Sequence, residues 1–241
     1  SIGCASLSVY KKIKVGLFFT GDELVAPGNP LAPGKIYDSN RYTLLGLLQT
    51  VGCEIVDLGI VPDDLASTKT ALQQAADQAD MVITSGGVSV GEEDYIRIAL
   101  QQLGELKLWR IAMKPGKPLA FGMVGNTPFM GLPGNPVAAF VTFCLFVSPF
   151  IKSMQGRLDV LPKSLLIPAA FDWPVPGKRQ EYLRARLVTD AAGQSAIEIF
   201  SHQGSGVLTS TSWADGVAMI PAGVTVKKGD RVAYTPFTEM L

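Results

Sequence analysis

The chain has 241 residues, of which 47% are hydrophobic and 17% are charged, a balance typical of a well-packed globular protein rather than a disordered one. The 21 Lys and Arg residues match the 21 Asp and Glu residues, so no overall basic excess indicates a nucleic acid or a membrane surface as partner. The length allows either one large domain or two smaller ones.

The first part of the chain alternates predicted strands and helices, which favours a three-layer α/β/α domain with a mostly parallel sheet. Ligands of such folds bind at the carboxyl ends of the strands. The predicted elements are a strand at 13–19, a helix at 40–51, a strand at 54–58, a helix at 66–79, a strand at 80–84, a helix at 92–103, strands at 106–112, 119–122 and 129–131, and a helix from Asn135 to about Met154.

From residue 165 onward the pattern changes to short strands without a convincing helix, which predicts a small all-β sandwich or barrel. The predicted strands are 165–171, 182–189, 196–201, 217–220 and 231–234. We therefore divide the chain into residues 1–12, the tail of a preceding domain, an α/β domain at 13–155, and an all-β domain at 156–241.

The apolar run of residues 137–146 is shorter than the roughly 20 residues of a membrane-spanning helix, so a buried helix is the better interpretation. The three cysteines form no CxxC pair, which excludes a zinc ribbon and a dithiol motif. Free thiols of this kind favour a reducing cytoplasm. Because His202 is the only histidine, any metal site is expected to use oxygen ligands.

The most informative segment is residues 84–95, TSGGVSVGEEDY, where an apolar strand runs into two glycines, hydroxyl side chains and three carboxylates at a helix start. Glycines let backbone N–H groups approach a ligand, and a helix N-terminus favours an anion. Asp and Glu can hold a hard cation such as Mg²⁺. The segment indicates phosphate and metal binding, although an ordinary β–α turn with an acidic first helical turn explains it equally well.

Three further polar clusters follow predicted strands: residues 20–23 (TGDE), 62–64 (PDD) and 114–118 (KPGKP). Because the carboxyl ends of parallel strands share one edge of a sheet, the carboxylates could converge on one or two Mg²⁺ ions, and Lys114 and Lys117 could neutralise phosphate. Each cluster has an ordinary alternative, since the carboxylates can cap turns or helices and the lysines can be solvated.

Two glycine-flanked loops and one strand complete the candidate sites. Residues 131–136 (GLPGNP) predict a rigid turn whose amides could face the same edge, or simply a helix start. Residues 201–206 (SHQGSG) favour a β-turn from their local sequence. Arg184 and Arg186 alternate with apolar residues, and the default interpretation is a solvated strand face.

Six motifs in order across nearly the whole chain resemble the molybdopterin molybdenumtransferases, the MoeA family, whose eukaryotic relative is the gephyrin E domain. The motifs are TGDEL at 20–24, IYDSN at 36–40, SGGVSVGE at 85–92, KPGKP at 114–118, GLPGNP at 131–136 and HQGS at 202–205. The resemblance implies a molybdopterin-binding α/β domain followed by a β-barrel. Family members carry two further domains before TGDEL, so the chain resembles the C-terminal part, and full activity is expected to depend on those domains.

The resemblance implies Mg²⁺-dependent insertion of molybdate into adenylylated molybdopterin with release of AMP. It makes Glu23, Asp63 and Asp94 the catalytic and metal-holding carboxylates, and Lys114 and Lys117 the catalytic cations. The implied cofactor-binding residues are Thr20, Gly21, Asp22, Ser85, Gly86, Gly87, Ser89, Gly116, Pro133, Gly134, Asn135, Pro136, Arg184 and Ser205. It also implies a cytoplasmic homodimer that contacts the adenylyltransferase of the same pathway, with neither nucleic acid nor membrane as partner.

Two other functions are considered. The sister adenylyltransferases share the α/β fold, but their loop normally continues from the glycine pair as Thr-Gly, whereas Val88-Ser89 follows here, and they have no barrel domain. A gephyrin-like scaffold that binds a peptide without turnover remains open, since gephyrin itself keeps such site residues.

Overall fold

The computed structural model describes residues 3–88, 95–189 and 193–241. The elements of the first part are β1 (Lys14–Thr20), β2 (Leu24–Val25), β3 (Ile36–Tyr37), α1 (Ser39–Thr50), β4 (Glu54–Val61), α2 (Leu65–Gln78), β5 (Met81–Ser85), α3 (Tyr95–Leu103), β6 (Gly104–Arg110), β7 (Met113–Lys114), β8 (Pro118–Val124), β9 (Thr127–Leu132), α4 (Pro136–Thr142) and α5 (Ser148–Met154), with a π-helical turn at Phe143–Val147 between the last two. The second part contains β10 (Leu165–Pro168), β11 (Gln180–Thr189), β12 (Ser195–Ile199), α6 (Thr209–Trp213), β13 (Gly216–Ile220), β14 (Arg231–Pro236) and α7 (Phe237–Met240).

The first sheet has six strands in the order β4-β1-β5-β9-β8-β6. The first four run parallel, and β8 is antiparallel to both of its neighbours. The prediction of a parallel-rich α/β sheet is therefore confirmed. Because only β8 runs against the others, its amino end lies at the edge that holds the carboxyl ends of the other strands. We call this edge the rim.

Strand β1 shows why the sheet is covered on both faces. Val15, Leu17 and Phe19 pack with α1, α4 and α5, whereas Phe18 packs with α2 and α3. Successive side chains of a strand point to opposite faces, so an unbroken apolar run serves two cores at once. Burying each such side chain stabilises the fold by about 1.5–3 kcal/mol. Gly16 lies under α2, where an added Cβ would come within 2.8 Å of the Ala75 Cβ.

The helical segment Pro136–Met154 is one of the main core elements. It is long and apolar enough to cross a membrane by length and composition alone, but 67% of its most apolar window is buried within the protein. That burial is typical of a core helix, so the segment is weak support for a membrane span. The helix start predicted at Asn135 is confirmed: Asn135 is the residue before α4, and Pro136 occupies its first turn. The Asn135 side chain makes no capping hydrogen bond to the described residues.

The second sheet is antiparallel along the order β10-β14-β13-β11-β12. The Ala170 N–H donates to the Ile197 carbonyl at 2.7 Å, which joins the segment after β10 to β12 and closes the sheet into a small barrel. The expectation that this part has no helix was wrong, because α6 and α7 are both present. Helix α6 is short, and its Ser210 and Thr211 hydroxyls bond carbonyls three residues earlier, local bonds that apolar spacing does not reveal.

Two backbone contacts fasten the barrel to the rim. Strand β7 pairs in parallel with β11, so that Met113 lies opposite Gln180 and Lys114 opposite Glu181. The Val137 N–H at the start of α4 donates to the Ser205 carbonyl at 3.0 Å. The barrel therefore contributes one side of the space above the rim.

Candidate functional site

A cavity of about 850 Å³ lies at the rim, between the first sheet and the barrel. Its volume is within the range of small-molecule pockets. Most of the site residues named from the sequence line it: Thr20, Gly21, Glu23, Asp63, Ser85, Gly86, Gly87, Lys114, Gly116, Lys117, Pro133, Gly134, Asn135, Pro136 and Ser205. Ser89 and Asp94 lie outside the described residues. Asp22 and Arg184 are described but do not line the cavity.

The glycine pair after β5 lets two strand ends approach closely. Gly86 has φ +96°, and an added Cβ would lie 2.2 Å from the Thr20 carbonyl oxygen. Any side chain at this position would therefore push the ends of β1 and β5 apart. The glycine thus has a structural reason to be here, independent of any ligand.

A buried hydrogen-bond network ties three segments of the rim together. The Asn40 Nδ2 donates to the Ser85 Oγ and to the Gly134 carbonyl, both at 2.8 Å. The Ser85 Oγ in turn donates to the Pro133 carbonyl at 3.0 Å. Asn40, which sequence reasoning quoted only within a motif, is therefore the residue that joins α1 to the 131–136 loop. Its position at the start of a helix, just after a capping Asp, was the available signal.

The two aspartates after β4 have different surroundings. The Asp64 side chain caps α2 by accepting from the Ser67 N–H at 2.8 Å, and Asp64 is not part of the cavity lining. These hydrogen bonds lower the pKa of the Asp64 carboxyl. Asp63 lines the cavity and accepts from the Thr20 Oγ1 at 2.7 Å. The predicted capping role therefore belongs to Asp64. Asp63 does not cap α2 and lies in the cavity lining.

Asp38 is a further cavity residue that the sequence analysis did not single out. It is only 2% exposed, and it caps α1 by accepting from the Arg41 N–H at 3.1 Å. Burial raises the pKa of its carboxyl above the usual value, with the Arg41 N–H and guanidinium acting in the opposite direction. The second oxygen, Oδ2, has no hydrogen-bond partner among the described residues.

The basic part of the cavity comes from the KPGKP loop and from the barrel. Lys114 forms an ion pair with Glu181, with 2.9 Å between Nζ and Oε1. Lys117 is exposed, and no ion pair of the described residues includes it. Arg179, which sequence reasoning missed, lines the cavity and donates from Nη1 to the Met113 carbonyl at 2.9 Å. Three cations thus face the same space.

The fit of a metal ion rests on the carboxylates of the cavity. Glu23 and Asp63 both line it, and their oxygens suit a hard cation such as Mg²⁺. Within residues 3–88, 95–189 and 193–241, no three His, Cys, Asp or Glu side chains are close enough together to hold a metal ion. The third predicted ligand, Asp94, lies outside these ranges. The two carboxylates present fit part of a magnesium site.

Two of the predicted site residues, Asp22 and Arg184, lie outside the cavity lining. Asp22 is exposed, and its backbone carbonyl accepts from the Lys35 Nζ at 2.5 Å, outside the cavity lining. The solvated face expected for Arg184 was wrong, because the 201–206 loop and α6 cover this residue and leave it 0% exposed. Arg186, two residues further, is exposed as expected and lies over the Trp213 ring.

Arg184 acts on the cavity through the barrel loop. Its Nε donates to the Ser210 Oγ at 3.0 Å, and its Nη2 donates to the Gly204 carbonyl at 3.1 Å. Burial lowers the pKa of its guanidinium to about 10. The backbone N–H of Arg184 also donates to the Gln203 Oε1 at 2.9 Å. Arg184 therefore holds in place the loop whose residues 203–205 line the cavity.

Known proteins resemble both parts of the chain. Residues 16–153 match a family described as "Probable molybdopterin binding domain", and residues 167–237 match "MoeA C-terminal region (domain IV)". A protein of Haemophilus influenzae named molybdopterin molybdenumtransferase is 40% identical over 243 residues, which covers 100% of this chain and 60% of the relative. A Nostoc protein of the same name is 36% identical over 228 residues, covering 92% of this chain and 52% of the relative.

Solved structures agree with these matches. The crystal structure of a molybdopterin biosynthesis MoeA protein from Pyrococcus horikoshii superposes with a TM-score of 0.78 at 31% identity, covering 94% of this chain and 55% of that chain. The chain spans between about half and three fifths of the length of these relatives. With both of its parts matched in order over most of its length, the chain belongs to the MoeA family of molybdenum cofactor biosynthesis proteins.

Proposed function

We propose that this chain carries the site for Mg²⁺-dependent insertion of molybdate into adenylylated molybdopterin, with release of AMP. The observation that supports this function is the cavity at the rim, which combines the carboxylates Glu23 and Asp63 with the cations Lys114, Lys117 and Arg179. Molybdate, phosphate and a phosphoanhydride are all anions, so their binding requires this concentration of positive charge.

The cations, glycines and carboxylates of the cavity have different roles in the proposed reaction. Lys114, Lys117 and Arg179 bind the phosphoryl and molybdate oxygens and offset their charge. Gly86 and Gly87 let the end of β5 pack closely against Thr20 and Ile96, which shapes the rim at the cavity. Glu23 and Asp63 hold Mg²⁺, with Asp94 as the proposed third ligand. When bound, Mg²⁺ polarises a phosphoryl oxygen of the substrate.

We extend the proposal to the organisation of the protein. Residues 13–155 form the molybdopterin-binding domain and residues 156–241 the barrel domain, after a short tail at 1–12. The whole protein acts as a cytoplasmic homodimer that receives its substrate from the adenylyltransferase of the same pathway. The three free cysteines support a reducing compartment. The homodimer and the pathway partner rest on the family resemblance alone.

The test is AMP release from adenylylated molybdopterin, measured with and without molybdate and Mg²⁺. The Asp63→Asn variant should reduce the rate at least about tenfold, because it removes a charge from the cavity. Asp64→Asn is the matched control, because the Asp64 carboxylate caps α2 and is not part of the cavity lining. The rate of this variant should stay within about twofold of the original.

Three results would count against the proposal. Equal rates for Asp63→Asn and the original chain would mean that Asp63 has no role in the reaction. Pterin binding without AMP release, even when the rest of the full-length protein is supplied, would favour a scaffold. Synthesis of the adenylate from ATP would favour the adenylyltransferase.

A further inference from the structure

We propose that Glu181 of the barrel is a positioning residue for Lys114, and that it holds the lysine ammonium in place for an oxyanion bound in the cavity. The inference rests on the proposed function, since it assigns a partner to one of the proposed anion-binding cations. It adds a residue that neither the sequence motifs nor the cavity lining identifies.

The geometry of the carboxylate supports this role. Glu181 is 4% exposed as a residue, and both of its carboxylate oxygens accept a hydrogen bond. Oε1 accepts from the Lys114 Nζ at 2.9 Å, and Oε2 accepts from the Trp173 Nε1 at 3.0 Å. A carboxylate with both oxygens bonded has a fixed orientation, so the lysine that pairs with it is directed as well.

The backbone reinforces the pair. Glu181 and Lys114 lie opposite each other where β11 and β7 run in parallel. Arg179, the residue just before β11, donates from Nη1 to the carbonyl of Met113, the residue before Lys114, at 2.9 Å. The start of the KPGKP loop is therefore fastened to the barrel by main-chain pairing and by side chains, and the relative position of the two charged groups is set by the strand register.

The two partners differ in burial, and this difference makes Glu181 the residue that restrains Lys114. The Glu181 side chain is 6% exposed, whereas the Lys114 side chain is 50% exposed and lines the cavity. A buried carboxylate requires a nearby cation, so Glu181 restrains Lys114 strongly. The exposed part of the ammonium keeps donors available for a second acceptor, because a lysine has three N–H groups.

Restraint matters for lysine because its charge sits at the end of a flexible four-carbon stem. A lysine that is ordered before the ligand arrives loses less side-chain freedom when it binds. Lys117 lies in the same loop and has no bond to Glu181 in any described contact, so it provides an internal comparison.

The test is a double-mutant cycle on the full chain, with inorganic molybdate as the probe and isothermal titration calorimetry as the measurement. Lys114→Gln should weaken binding about tenfold in the original chain. In a Glu181→Gln background the same substitution should weaken binding less than about twofold, because the unrestrained ammonium contributes little. Lys117→Gln should change binding by the same factor in both backgrounds.

A structural role for Glu181 alone would lower the thermal midpoint and leave the effect of Lys114→Gln at about tenfold, which would overturn the inference. Tighter binding in Glu181→Gln with that factor unchanged would also overturn it, since Glu181 would then act only as an opposing charge. Glu181→Asp keeps the charge and should restore most of the Lys114 dependence.

If Glu181→Gln does not fold, Trp173→Phe serves in its place. This variant keeps the ion pair but removes the N–H that orients Oε2, so the effect of Lys114→Gln should fall below the original tenfold. An unchanged factor would contradict the inference. Absence of molybdate binding by the original chain would refute the proposed function as a whole, whereas binding without coupling would refute only the positioning role.

Discussion

The Asn40 network offers a direct test of what holds the rim together. Replacing Asn40 with Ala removes its two donated hydrogen bonds, to Ser85 Oγ and to the Gly134 carbonyl. Each buried bond is worth about 1–1.5 kcal/mol, so the loss is about 2–3 kcal/mol. The buried Asn40 Oδ1 has no partner within the part of the chain that the structure describes, and deleting it recovers about 1 kcal/mol. We expect a net destabilisation of about 1–2 kcal/mol.

Thermal unfolding followed by circular dichroism measures this effect. For a chain of this size, about 1–2 kcal/mol corresponds to a fall of about 2–8 °C in the midpoint. Asn29→Ala is the matched control, because the Asn29 amide donates to the Ala26 carbonyl at 3.3 Å on the exposed surface. The control should change stability by less than about 0.5 kcal/mol. Equal midpoints for the two variants would refute the reasoning, because the buried network would then contribute nothing measurable.

The remaining predictions concern charge and thiol chemistry. Arg179→Met should weaken molybdate binding about tenfold in calorimetry. Lys178→Met removes a positive charge from the neighbouring residue, which is not part of the cavity lining, and should weaken binding less than about twofold. Equal effects of the two variants would mean that only long-range attraction contributes. Burial raises the pKa of the Cys53 thiol to about 11 and that of Cys144 to about 12, so both stay protonated at pH 8. Cys4 is exposed, Cys53 is partly buried and Cys144 is buried, so a thiol reagent should label Cys4 quickly, Cys53 more slowly and Cys144 only on unfolding. Three thiols that react equally fast would contradict this expectation.

The sequence was sufficient to locate the rim. Glycine and proline clusters follow apolar strands at residues 20–23, 85–87 and 131–136, and parallel strands bring their carboxyl ends to one edge. These local patterns have physical causes. At Gly86 the cause is the close approach of the backbone to the Thr20 carbonyl, which excludes a side chain. The fold class and the family were accessible for the same reason.

Other features depend on contacts between distant parts of the chain. The pairing of β7 with β11 joins residues nearly 70 positions apart, and it brings Arg179 to the cavity and Glu181 to Lys114. Alternation along β11 indicates which residues share a face but not what covers that face, which is why the burial of Arg184 was missed. Asp63 and Asp64 could each cap a helix, and only the structure assigns that role to Asp64.

The π-helical turn has a consequence for how the longest helical segment can change. Its core positions Ala139, Phe143, Val147 and Ile151 recur every four residues, a spacing that would drift by about 120° around a regular α-helix over three steps. The wider i→i+5 turn at Phe143–Val147 absorbs part of that drift. Deleting one residue there would rotate everything beyond it by about 100° and carry Lys152 away from the Met240 carbonyl, to which its Nζ donates at 3.1 Å. The helix is therefore more tolerant of a change in side chain than of a change in length.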